Sequence, residues 1–133
     1  MKKGTELIAE ERKRQIEEEG WTSEHDDKHY DSEMADAAVC YALDGRRVIH
    51  WNTSKVKAIA TIKLDRNLLW PWDETWWKPE AKSLTESGAP YGVEGWVKGR
   101  IKDLTKSGAL IAAEIDRLQR MLESNATDEK VQG

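Results

Sequence analysis

Two acidic pairs are the first residues whose spacing has chemical meaning. Glu33 and Asp36 stand three apart, so a helix puts both carboxylates on one face. Glu10 and Glu11 lie on the preceding helical segment, with Glu6 one turn before Glu10. If the two helices pack antiparallel, the acidic faces converge, and their mutual repulsion is what a divalent cation relieves. Oxygen ligands of this kind suit Mg²⁺ or Mn²⁺, which in turn grip phosphate oxygens. The competing reading is a solvated charged face, which many helices carry.

A second polar group is His25, Asp26, Asp27 and His29. His25 and His29 share a face if the segment is helical, but no third ligand stands at a zinc spacing. These residues are therefore expected to cap helix ends and orient neighbours. His29 or Asp27 would contact a phosphate-bound cation, and Glu24, Asp26 or Asp27 offers a general base. Cys40 lies among small apolar residues with no evident base and reads as buried.

The aromatic residues are unusual: seven Trp, three Tyr and no Phe. Trp70, Trp72, Trp76 and Trp77 crowd one stretch, stiffened by Pro71 and Pro79. In a small protein they can cover the core, each burying ~150–250 Å². They can also stack on nucleobases at ~1–3 kcal/mol per base, with Trp21 a further aromatic anchor and Arg12, Arg14 and Lys78 contacting phosphate. Cover is the commoner fate of Trp.

Helices must position these groups. Thr5 is placed to cap a first helix and Gly20 to end it. Residues 22–31 lack periodicity and read as a loop. Asp31 or Ser32 then caps a second helix carrying Met34, Ala37, Ala38, Tyr41 and Ala42 on one side, with Asp44-Gly45 as its end. Residues 45–69 fit a strand or a short helix equally. Three prolines oppose a long regular element over 70–96. The last helix is marked by Ile101, Leu104, Gly108, Ile111, Ile115, Leu118 and Leu122 at alternating steps of three and four, a sustained apolar seam. Lys98, Arg100, Lys102 and Lys106 make its start basic. The expected fold is mainly all-α: a helical bundle with a Trp-rich irregular excursion between the second and third main helices. Residues 1–123 form one helical domain and 124–133 a flexible C-terminal tail. The long seam on a short chain predicts a homo-oligomer.

Composition narrows the function. The chain has 133 residues, a net charge of -4 and a mean hydropathy of -0.78. No apolar run approaches the ~20 residues of a membrane span, and the start lacks the apolar core of a secretory signal. One cysteine makes no internal disulfide, which points to a reducing cytoplasm. The acidic balance argues against generic DNA binding.

The order Glu10-Glu11, then Glu33-x-x-Asp36, resembles the MazG-like all-α nucleoside triphosphate pyrophosphohydrolases. The resemblance implies that Glu10, Glu11, Glu33 and Asp36 hold Mg²⁺ or Mn²⁺ and carry catalysis. Arg14 stands where that family has a third Glu. The strings Ala9-Glu10-Glu11-Arg12, Glu19-Gly20-Trp21-Thr22, Trp70-Pro71-Trp72, Trp77-Lys78-Pro79 and Gly108 to Leu118 resemble small uncharacterised proteins of tailed phages and prophages. That resemblance implies action in a bacterial host cytoplasm. Together they predict a phage-type nucleotide-binding protein, a Mg²⁺-dependent pyrophosphohydrolase releasing pyrophosphate. The alternatives are a non-catalytic sponge that sequesters a nucleotide immune signal, and a protein–protein inhibitor of a host factor.

Overall fold

Helices dominate the computed structural model, which describes residues 1–43, 49–52, 61–64, 70–80 and 84–132. Helix α1 spans Gly4–Glu17, α2 Ser23–Asp27, α3 Glu33–Ala42 and α4 Leu84–Gln132. Strands β1 (Ile49–Asn52) and β2 (Thr61–Leu64) pair antiparallel, Ile49 opposite Leu64. Of the ambiguous stretch 45–69, these eight residues are strand, and the rest lies outside the described residues. So do Asp44 and Gly45, the expected end of the second helix; α3 closes at Ala42 with Leu43 as its cap.

Local chemistry explains most boundaries. Lys3, not Thr5, occupies the N-cap of α1. Gly20 adopts φ 74°, a backbone that L side chains disfavour, and the turn lets the Trp21 N–H donate to the Gln15 carbonyl. The expected loop after Trp21 contains α2 instead. Thr22 Oγ1 accepts from the His25 N–H, and Glu24 and Asp26 put negative charge in the first turn. Ser32 precedes α3 with φ 62°, and its side chain does not cap the helix.

The 70–80 segment is irregular apart from a 3-10 turn at Glu74–Trp76, as its prolines require. Pro90, in contrast, lies within α4. Proline's fixed φ is helical and its cost is confined to one turn, so a 49-residue helix runs through it. Residues 124–132, expected as a flexible tail, continue that helix.

The core sits between α3 and α4. Met34, Ala37, Ala38, Tyr41, Leu110 and Ala113 are buried together. Small side chains let the helices approach closely, and Ser107 Oγ donates to the Ala38 carbonyl at 2.7 Å. The face of α4 that packs inward also carries Asp103, Ser107, Glu114 and Arg117, all buried. The apolar seam read from spacing lies on another side of α4. Ile101, Leu104, Ile111, Ile115 and Leu118 are 47–50% exposed and Leu122 is 71% exposed. The apolar seam faces outward because the α3 contact is made by the small-residue face, where backbones come closest.

Candidate functional site: an aromatic pocket

The Trp-rich segment lies over the core, held at three points. The Lys78 N–H donates to the Tyr41 hydroxyl, the Glu80 N–H donates to Asp103 Oδ1 at 2.7 Å, and Lys106 Nζ donates to the Lys78 carbonyl at 3.0 Å. Tyr41 is the hub on α3. Its ring centroid is 4.8 Å from Trp77 and 5.8 Å from Trp70, and Lys106 Nζ lies 5.5 Å from it on the ring face. Burial pushes the Tyr41 hydroxyl pKa up, so it stays protonated.

Anchored this way, the segment leaves a cavity of about 350 Å³. Trp21, Trp70, Trp72, Trp76 and Tyr41 supply its aromatic walls, and Leu110 contributes from α4. His25, His29 and Asp73 are its polar lining. The rings form a chain: Trp21 stacks on His25 at an interplanar angle of 4°, His25 meets His29 edge-on, and His29 lies 5.2 Å from Trp72. Trp70 spends its indole N–H on the Asp73 carbonyl. Trp72 Nε1 is buried and has no hydrogen-bond partner among the described residues. A buried donor left unpaired costs about 1–3 kcal/mol.

The histidines are positioned from behind. Asp26 is completely buried and accepts from Arg12 Nη2 at 2.7 Å. Its other oxygen lies 3.0 Å from His25 Nδ1. A carboxylate only accepts, so Nδ1 carries the proton and Nε2 of neutral His25 is an acceptor. Burial, then the nearby His25, pushes the His29 pKa below its ordinary 6.5. Glu33 Oε2 stands 3.6 Å from His29 Nδ1, beyond hydrogen-bond reach, and is itself buried without a hydrogen-bond partner among the described residues.

The four expected metal ligands are not brought together. Glu10 pairs with Lys2 at 2.8 Å, and Glu11 takes two hydrogen bonds from Arg14. Both border a cleft with Ile101, Lys102 and Lys106, away from the aromatic pocket. Glu33 and Asp36 are neighbours on α3: burial, and then Glu33, pushes the Asp36 carboxyl up. Among the described residues, no three His, Cys, Asp or Glu side chains gather where they would hold a metal ion. The set Glu10, Glu11, Glu33, Asp36 therefore does not fit a divalent cation in this arrangement, because α1 turns its acidic residues toward the basic start of α4.

The expected phosphate ligands divide in the same way. Arg12 is committed to Asp26. Arg14 is held by Glu11 and Glu19, which raise its already high pKa. Asp27 pairs with Arg120 on α4. Lys78 is exposed at the end of the anchored segment. Trp77 packs behind the pocket on Tyr41 rather than lining it. Tyr41, Asp73 and Leu110 line the cavity without having been singled out for it, and Trp76 lines it as a member of the Trp cluster.

No protein-family model, curated protein or solved structure matches the chain. Among the described residues, no helix is long and apolar enough to cross a membrane.

Proposed function

We propose that this chain is a phage-type nucleotide-binding protein that holds its ligand without turnover, as a sponge for a nucleotide signal would. The observation that carries the reading is the aromatic cavity, whose volume of about 350 Å³ suits a base and sugar. Base stacking on Trp21, Trp70 or Trp72 supplies affinity, and His25 Nε2 and His29 supply polar contacts. Binding without turnover is preferred to Mg²⁺-dependent pyrophosphate release because Glu10 and Glu11 are paired with Lys2 and Arg14, apart from Glu33 and Asp36. The enzyme reading retains one observation, the coupled Glu33–Asp36 pair.

Calorimetry against a panel of linear and cyclic nucleotides, with product analysis, decides between them. The sponge reading expects a saturable heat, ligand recovered intact, no effect of EDTA, and at least tenfold weaker binding by Trp72→Ala. Pyrophosphate released with Mg²⁺ and lost in Glu33→Ala and Asp36→Ala would establish the enzyme. No heat with any nucleotide at millimolar concentration leaves the Trp cluster as core cover.

A further inference from the structure

The pocket makes no use of the outward face of α4. There, Val97, Ile101, Leu104, Ile111, Ile115, Leu118 and Leu122 are between 40% and 71% exposed. Their steps alternate between three and four, interrupted only at position 108, where the chain has glycine. The gap is filled from α1: a Cβ on Gly108 would lie 2.5 Å from Ile8 Cδ1. The apolar row is thus continuous along more than seven turns of helix, with Ile8 completing it. Seven aliphatic side chains about half exposed amount to on the order of 600 Å², the upper end for the largest patch on a monomer. A 3.5-residue repeat of this kind is complementary to another 3.5-residue repeat, since knobs at that spacing enter holes at the same spacing.

We infer that the seam pairs with the seam of a second copy of this chain, antiparallel, about a two-fold axis level with Ala109 and Leu110. In that register every row meets a row. Ile101 faces Leu118 of the partner subunit, Leu104 faces the partner's Ile115, Val97 faces the partner's Leu122, and Ile8 over Gly108 faces the partner's Ile111. Two such faces bury ~1,200 Å², the lower bound of a stable specific interface. Charge sets the direction. From 94 to 108, Lys98, Arg100, Lys102 and Lys106 outnumber Glu94 and Asp103, whereas from 111 to 123, Glu114, Asp116 and Glu123 outnumber Arg117 and Arg120. Antiparallel pairing brings the basic half of each helix beside the acidic half of the other, and parallel pairing would bring like charges together.

Light scattering on the full chain tests the association, and cysteine crosslinking tests the direction. A mass of twice 15.2 kDa is expected at tens of micromolar, falling to a single chain in Ile115→Glu with helical circular dichroism retained. Cys40 is 2% exposed, so introduced cysteines are the reactive thiols. Under oxidation, a chain carrying Leu104→Cys and Ile115→Cys is expected to form a covalent dimer. Leu122→Cys alone is expected to form none, because the two copies of residue 122 then lie ~37 Å apart. A wild-type monomer at 100 micromolar, a dimer that survives Ile115→Glu, or efficient crosslinking through Leu122→Cys would each overturn the inference.

Discussion

Arg117 and Glu114 form a buried ion pair on the inward face of α4. Their side chains are 5% and 9% exposed, Arg117 donates twice to Glu114 Oε1, and Oε2 is left without a partner. Removing one partner strands a buried charge. Arg117→Ala should therefore cost about 3–5 kcal/mol in urea unfolding, and combining Arg117→Met with Glu114→Leu should recover most of it. A loss below about 1 kcal/mol for the single variant would contradict this account. His29 gives a pH signature. Its folded-state pKa is lowered, chiefly by burial, so the neutral ring is the folded form. The unfolded chain takes up a proton near 6.5, the folded chain only at lower pH. This contribution is present above pH 6.5 and is lost as pH falls through that window. Urea midpoints at pH 7.5 and 5.0 should differ less in His29→Gln than in the wild type. An unchanged difference would remove His29 as a source of acid sensitivity. The setting of Arg117 and Glu114 could not be read from spacing, because both flank apolar seam positions that would equally leave them in water.

At the scale of elements, one arginine closes a helix across the core. Arg100 on α4 donates to the carbonyls of Tyr41, Ala42 and Leu43, three of the groups that the end of α3 leaves unpaired. Arg100→Met should lower stability by ~1–2 kcal/mol, with hydrogen exchange accelerating first at the end of α3. Protection unchanged there would show that the cap contributes nothing. Gly108 is a second case. Alanine has the better helix propensity by ~1 kcal/mol, yet its Cβ would meet Ile8 at 2.5 Å and overpack by ~1–3 kcal/mol. Gly108→Ala should be destabilising alone and stabilising in an Ile8→Ala background, a sign reversal that thermal melts can read. The helices themselves were legible: Met34, Ala37, Ala38 and Tyr41 form the inward face of α3 as their spacing implies. The short α2 and the helix through Pro90 were not, because Thr22 capping and the continuation of α4 outweigh local propensity.

For the whole molecule, association has a thermodynamic signature of its own. If two copies share the α4 seam, the melting temperature should rise with protein concentration. Charge pairing between opposite halves should make it fall as salt increases from 50 to 500 mM. A melting temperature independent of both would argue for an isolated chain. Much of this molecule follows from residue pattern alone: its helical class, an apolar 3.5-residue repeat in the last helix, the turn at Gly20, and a Trp-rich segment stiffened by proline. Each is a local property, dictated by the period of side chains around a helix or by the backbone freedom of one residue. Which face of α4 turns inward was decided in three dimensions. Ala109, Ala113, Ser107 and Leu110 allow the closest approach to α3, and the larger aliphatic seam is left outside. The same holds for the acidic residues. Spacing placed Glu10, Glu11, Glu33 and Asp36 on two helices, but Glu10 and Glu11 pair with Lys2 and Arg14 of their own segment, and each helix packs on α4 rather than bringing the two acidic pairs together. The aromatic pocket likewise exists only because Tyr41, Asp103 and Lys106, distant in sequence, hold the tryptophan segment against the core.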